Sequence, residues 1–197
     1  MLIVVEGPMG VGKTSLTQLL ARYFGAETCL EMPGDNPFLA ELYADGRHAL
    51  ATELHFLLQR CAQWQALPDG LCFSDHGPDK DLLFTTQTLS PAERDLYLQI
   101  RARLLPQPPQ VDLMIFLDAP LEVLYSRVRA RGDQWDAAMQ REYLAGVQAR
   151  YADFFAGYSG AVLDLRGENM DFVAHKKDAK ILTDLVGNKL HELGWRS

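Results

Sequence analysis

The sequence has 197 residues, of which 48% are hydrophobic and 23% charged, a balance typical of one globular α/β domain that leaves little room for a second. Its net charge of -7 argues against nucleic acid or an anionic membrane as the main partner, because such proteins carry a basic surplus. The three cysteines form no C-x-x-C pair, and no stretch approaches the length of a membrane span. We therefore expect buried free thiols in a cytoplasmic protein.

The hydrophobic pattern predicts strands that alternate with helices along the whole chain. Short apolar runs predict strands at 2–5, 28–30, 71–74, 111–117 and 161–165. Amphipathic spacing and capping residues predict helices at 13–24, 38–43, 48–67, 90–105, 120–131, 137–155 and 176–193. Alternation of this kind predicts an α/β fold over residues 1–197 as a single domain, with a parallel sheet of about five strands and helices on both faces.

Four features follow predicted strands directly: a glycine-rich loop, Glu31, Asp75 and Asp118. In parallel α/β sheets, ligands bind beyond the carboxyl ends of the strands. The first three features are therefore candidates for one site.

The glycine-rich loop fits the P-loop pattern G-x-x-x-x-G-K-[ST] and lies between a predicted strand and a predicted helix, the context that the motif requires. Its residues are Gly7, Pro8, Met9, Gly10, Val11, Gly12, Lys13 and Thr14. Backbone N–H groups of such a loop curl around phosphates, and the helix N-terminus adds partial positive charge. We expect Lys13 to reach the β- and γ-phosphates of ATP and the Thr14 hydroxyl to ligate Mg²⁺.

The rest of the chain narrows the class of P-loop protein. A GTPase needs N-K-x-D, and Asn188-Lys189-Leu190-His191 lacks the aspartate. A motor ATPase would end an apolar strand in paired acids, whereas 111–117 is followed by Asp118 alone. These differences favour a small-molecule kinase.

The chain resembles the bacterial deoxynucleoside kinases, in the deoxyadenosine/deoxyguanosine kinase branch, over nearly its whole length. The resemblance rests on six segments in order: 3–14 with the P-loop, 31–39 with Glu-Met-Pro and Asn-Pro-Phe-Leu, 52–60, 74–84, the arginine-rich 127–132, and Asp-Phe-Val at 171–173. Each segment is a modest signal, and their order and spacing are specific. The resemblance implies a P-loop kinase fold, an arginine-bearing lid at about 127–136, and a homodimer.

The resemblance also implies roles at the reacting groups. Glu31 would take the proton of the 5′-hydroxyl as it attacks the γ-phosphorus, and Asp75 would hold Mg²⁺ together with Thr14. Arg127 and Arg131, four residues apart, share a helix face and would neutralise the transferring phosphoryl group, while Arg129 would reach a different phosphate. Two residues depart from the pattern: His76 stands where many members have arginine, and Asp133 where relatives often continue Arg-Gly-Arg.

For the nucleoside, Tyr43 and Asp136 are candidates to contact the sugar hydroxyls, and Phe38, Phe56 and Phe84 are candidates either to stack on the base or to pack in the core. Glu53 falls where the family usually has a base-reading glutamine. An ionised glutamate only accepts hydrogen bonds, which suits the two adjacent donors of guanine. Arg60, seven residues on, would donate to the base; a structural pair between Glu53 and Arg60 is an equal alternative.

The predicted function is ATP-dependent phosphorylation of a deoxynucleoside at its 5′-hydroxyl, with a purine favoured and a lean to deoxyguanosine. Two alternatives stay open on the sequence. One is a nucleoside monophosphate kinase of the thymidylate type. The other is a P-loop regulator that binds nucleotide without turnover.

Overall fold

The computed structural model describes residues 1–133, 136–166 and 170–196. Its five strands are β1 (Leu2–Glu6), β2 (Glu27–Cys29), β3 (Cys72–Ser74), β4 (Leu113–Phe116) and β5 (Val162–Asp164). They form one sheet in the order β2-β3-β1-β4-β5, and every neighbouring pair is parallel. The predicted five-stranded parallel sheet is confirmed.

Within the described residues, eight helices connect and cover the strands: α1 (Lys13–Phe24), α2 (Leu39–Asp45), α3 (Ala49–Gln65), α4 (Lys80–Thr88), α5 (Pro91–Leu104), α6 (Leu121–Arg131), α7 (Arg141–Gly157) and α8 (Lys176–Glu192). Short 3₁₀ turns lie at Pro33–Asp35 and Asp136–Ala138. In the described part of the chain, we find no helix with the length and apolar character that a bilayer crossing requires.

The central strand β1 shows why the sheet is covered on both faces. All five of its residues are buried, and successive side chains of a strand point to opposite faces. Ile3 and Val5 belong to a core cluster with residues of α1 and α8, whereas Leu2 and Val4 belong to another with Cys72 and Met114. Four consecutive apolar residues, 2–5, are what a strand buried on both faces requires, and only Glu6 at its end is charged.

Two elements differ from the prediction. Helix α4 was not predicted, because its sequence begins with a charged residue and contains three threonines, which have modest helix propensity. The helix predicted from residue 137 begins instead at Arg141, since residues 136–138 form a separate 3₁₀ turn. Both differences lie next to the cavity described below.

Candidate active site

The P-loop lies between β1 and α1, and its glycines are needed for steric reasons. Gly10 has φ +82°, and a Cβ there would lie 2.6 Å from the carbonyl oxygen of Leu124. At Gly7 a Cβ would lie 2.2 Å from the carbonyl oxygen of Leu117. Neither position therefore accepts a side chain without moving backbone. The loop closes against the start of α6 and the end of β4, which fixes the direction of its N–H groups.

Lys13 folds back over this loop. Its Nζ donates to the carbonyl oxygens of Gly7, at 2.8 Å, and Pro8, at 3.2 Å. Burial, together with the nearby charge of Lys80, lowers the pKa of Lys13 to about 8, although three carboxylates oppose the shift. Because the Lys13 ammonium is largely removed from water, an anionic ligand such as a phosphate would stabilise its charged form.

Asp75, directly after β3, joins the P-loop to the loop that follows β2. The Thr14 hydroxyl donates to Asp75 Oδ2 at 2.5 Å, and the backbone N–H of Glu31 donates to Asp75 Oδ1 at 2.8 Å. A hydroxyl and a carboxylate in contact form an oxygen donor set that fits Mg²⁺, which keeps several waters and takes further oxygens from phosphates. Thr14 and Asp75 would hold that ion, whose chemistry would be to neutralise phosphate charge.

The Glu31 carboxylate is held by two buried cations. Its Oε1 accepts from Arg60 Nε at 3.1 Å and Nη2 at 2.5 Å, and its Oε2 accepts from Lys80 Nζ at 2.7 Å. Burial by itself raises the pKa of this carboxyl, but Lys80 and Arg60 outweigh burial and hold the pKa well below its ordinary value. Glu31 is therefore ionised and can accept a hydrogen bond from a hydroxyl group.

Glu53 is in a different environment, although it lies on α3 together with Arg60. Its side chain is buried, and Oε1 accepts from the Thr88 hydroxyl at 2.8 Å. Burial raises the pKa of Glu53 to about 7, since the opposing hydrogen bond and the charge of Arg60 are weaker effects. Arg60 hydrogen-bonds Glu31, so the alternative in which it forms a structural pair with Glu53 has no contact to support it.

Two of the three arginines of α6 line a cavity, and the third does not. Arg127 and Arg131 both line the cavity described below. Arg131 makes two hydrogen bonds to Asp136, at 2.7 and 2.8 Å, and an ion pair with Asp133 at 2.9 Å. Arg129 donates to the carbonyl oxygen of Ala137 at 2.6 Å. The predicted lid segment also includes residues 134 and 135, which lie outside the described residues.

These side chains surround a cavity of about 580 Å³, within the size range of small-molecule sites. It reaches from the P-loop and the lid arginines to the buried side of α3. The predicted residues that line it are Met9, Gly10, Val11, Gly12, Lys13, Thr14, Glu31, Tyr43, Glu53, Phe56, Arg60, Asp75, Phe84, Arg127 and Arg131. A second cavity of about 520 Å³ adjoins it and shares Val11, Arg127, Met170 and Phe172 with it.

A family model described as deoxynucleoside kinase matches residues 3–191. The chain belongs to the deoxynucleoside kinase family. The enzyme class predicted from the sequence is thereby confirmed.

Individual relatives agree with the family model over nearly their full lengths. A deoxyguanosine kinase of Bacillus subtilis is 29% identical, with 89% of this chain and 91% of the relative covered. A deoxyadenosine/deoxycytidine kinase of the same organism is 26% identical, with 97% and 94% covered. Among solved structures, the deoxyadenosine kinase of M. mycoides with dCMP and dCDP has a TM-score of 0.82 at 19% identity, with 98% of this chain and 100% of that one covered. That likeness supports the P-loop kinase fold.

Some candidate residues lie outside the cavity or are held by other side chains. Arg129 and Phe38 do not line the cavity, and Asp136 is buried against Arg131. Tyr43 lines the cavity, but its hydroxyl contacts Met9 Sδ at 3.4 Å. The predicted sugar contacts of Tyr43 and Asp136 and the phosphate contact of Arg129 stay predictions.

No role was predicted for Lys80 or Thr88, which hydrogen-bond Glu31 and Glu53, respectively. Both lie on α4, the helix that was not predicted. Residues 79–81 are Asp-Lys-Asp and come soon after the end of β3. A lysine at that place was the signal from which a role for Lys80 could have been predicted. Phe172, part of the resemblance, also received no role; its ring would lie 3.2 Å from a Cβ at Gly12.

Proposed function

We propose that this chain transfers the γ-phosphoryl group of ATP to the 5′-hydroxyl of a deoxynucleoside, with a purine preferred. One observation carries the proposal: two hydrogen bonds through Asp75 connect the P-loop threonine to the backbone of Glu31. A phosphate site, a cation site and an ionised acceptor for a hydroxyl proton therefore occupy one cavity. Phosphoryl transfer needs little beyond such positioning and charge neutralisation.

In this arrangement, Lys13 and the loop N–H groups hold the triphosphate, and Thr14 and Asp75 would hold Mg²⁺, which would neutralise phosphate charge. The acceptor hydroxyl hydrogen-bonds the Glu31 carboxylate, which takes its proton as the oxygen attacks the γ-phosphorus; the bond from that phosphorus to the bridging oxygen breaks, and ADP leaves with that oxygen. Arg127 and Arg131 approach the transferring group from α6. Since Arg131 is paired with Asp136 and Asp133, its full charge becomes available to phosphate when those contacts are exchanged.

The nucleoside base would lie toward α3, between Glu53 and Phe56 or Phe84. The relatives named above include kinases of deoxyguanosine and of deoxyadenosine and deoxycytidine, so the preference rests on Glu53. An ionised Glu53 supports deoxyguanosine, whose base presents two adjacent donors. A protonated Glu53 offers one donor and one acceptor, as glutamine would, and supports deoxyadenosine or deoxycytidine.

The experiment is ADP release from Mg·ATP with each of the four deoxynucleosides, and with dTMP and dGMP as acceptors. We expect turnover with deoxynucleosides, and the highest kcat/KM with deoxyguanosine. Turnover with another deoxynucleoside alone would keep the reaction and discard the base assignment. Activity on the monophosphates only would make the chain a nucleotide kinase, and no acceptor-dependent release would remove the proposal.

The homodimer that the resemblance implies also belongs to this proposal. Light scattering during size-exclusion chromatography measures it directly. A mass near twice the 22.1 kDa of the chain is the expected result, and a mass of one chain would contradict it.

A further inference from the structure

Two features of the local structure disfavour a lysine at position 80. It is the first residue of α4, where the helix dipole is unfavourable to a cation. Its side chain is only 5% exposed, and burial of an ammonium is costly unless a partner compensates for the lost water. The helix itself therefore gives no reason for lysine at this position.

The compensating partner is the Glu31 carboxylate, at 2.7 Å from Lys80 Nζ. Lys80 binds Oε2, while Arg60 binds Oε1. The terminal torsion of a glutamate is broad, so contacts on one oxygen leave the carboxylate plane free to turn. Separate cations on the two oxygens fix that plane.

His76, which follows Asp75 directly, makes no hydrogen bond to Glu31; its ring lies against Cys29 and Trp64. Its ring Nε2 lies 3.6 Å from Cys29 Sγ, and its centroid lies 5.7 Å from that of Trp64. His76 is fully buried and does not line the cavity. Within the described residues, Lys80 and Arg60 are thus the cations that contact Glu31.

We propose that Lys80 is a positioning residue for phosphoryl transfer: it fixes the Glu31 carboxylate in the orientation that receives the proton of the acceptor hydroxyl. The inference rests on the proposed function and adds a residue to it. A hydroxyl must meet the carboxylate and the phosphorus in one geometry, and misplacement of a catalytic group by about 1 Å can cost about 100-fold in rate. Lys80 acts through Glu31, and its effect therefore depends on Glu31.

The test is a double-mutant cycle. It compares kcat of the wild type, Lys80→Met, Glu31→Gln and the variant that carries both substitutions. We expect Lys80→Met to lower kcat by about 10- to 100-fold, less than removal of a general base, which costs about 10²–10⁴-fold. The KM for ATP should stay within about threefold, since the P-loop is untouched. In the Glu31→Gln background, Lys80→Met should cost less than about twofold, because a group that acts through Glu31 has nothing left to position.

Two further variants separate positioning from folding. Lys80→Arg retains a cation at the site and should recover at least about tenfold of the kcat lost in Lys80→Met, since Glu31 again has a partner on each oxygen. Lys180→Met removes an exposed helical lysine that is also ion-paired, with Asp184 on the surface, and should leave kcat unchanged. If Lys80→Met does not fold, Lys80→Gln takes its place in the cycle.

The outcomes distinguish this inference from the proposed function. A wild-type enzyme without activity on any deoxynucleoside would end both. If the wild type is active but Lys80→Met lowers kcat by the same factor in the wild-type and in the Glu31→Gln background, only the role of Lys80 is overturned. A raised KM for ATP with unchanged kcat would also overturn it, because Lys80 would then act on the phosphates.

Discussion

The cavity holds its charges differently on its acceptor side and on its lid side. On the acceptor side, the side chains of Arg60 and Lys80 are 3% and 5% exposed and bind one carboxylate. On the lid side, Arg131 is 47% exposed and binds the buried Asp136 and also Asp133, which is 38% exposed. A buried charge group is rigid and costly to disturb, whereas exposed pairs exchange at little cost. The acceptor side is thus preformed, and the lid side can rearrange around phosphate.

The largest expected effect comes from removal of the carboxylate at the centre of the acceptor side. Glu31→Gln should lower kcat by about 10²–10⁴-fold, because the general base is lost. Binding of Mg·ADP, measured by calorimetry, should be nearly unchanged, since the P-loop does not depend on Glu31. More than about a tenth of wild-type kcat in this variant would show that Glu31 is not the base.

The next largest effect should be on the free energy of unfolding, which we expect to differ between variants of the acceptor side and of the lid side. Arg60→Met leaves Oε1 of the largely buried Glu31 carboxylate without its charged partner. We expect this variant to lose roughly 3 kcal/mol in the free energy of unfolding. Asp133→Asn, which breaks the half-exposed ion pair of Asp133 with Arg131, should cost less than about 1 kcal/mol. Urea unfolding of both variants measures the difference, and equal losses would contradict the contrast between a preformed and an exchangeable side.

Within the acceptor side, Glu53 should respond to pH where Glu31 does not. Because the pKa of Glu53 is raised to about 7, the carboxylate is mostly ionised at pH 8 and mostly protonated at pH 6. The ratio of kcat/KM for deoxyguanosine over deoxyadenosine should therefore fall, by up to about tenfold, as the pH is lowered from 8 to 6. Glu53→Gln is the matched control, and its acceptor ranking should not vary with pH.

If the ranking in the wild type is the same at both pH values, Glu53 does not read the base by its ionisation. An unchanged ranking in Glu53→Gln, relative to the wild type at pH 8, would remove Glu53 from base recognition altogether. A residue buried among Arg60, Asp81 and Glu31 would then have a role in packing only.

The smallest expected effect is on the lid. Asp133→Arg removes one of the two acids that pair with Arg131 and adds a positive charge next to it. We expect the KM for ATP to fall by about two- to fivefold, the range of one exposed ion pair. Steady-state kinetics at low and at high salt check this, since screening should reduce the gain. A raised KM would show that Asp133 helps to order the lid.

Much of the fold could be predicted because its signals are local. Apolar runs gave the five strands, and glycine, proline and capping residues gave most helix ends, including the capping box of Ser90 and Glu93 at α5. Helix α4 was missed because its threonines and charged residues form a helix only when packed against α3 and α7. Intrinsic propensity is a weak guide where tertiary contacts decide.

For the candidate site, the sequence by itself determined the P-loop and the strand-end acids, because a motif and a parallel topology place those residues without knowledge of side-chain contacts. Only the tertiary structure decided how the charges are paired: Arg60 with Glu31 rather than Glu53, Lys80 on the second oxygen of Glu31, and Arg131 with Asp136. Arg60, for example, lies 29 residues from Glu31 along the chain. Such partners are chosen by distance and burial in the folded chain, and sequence spacing does not encode them.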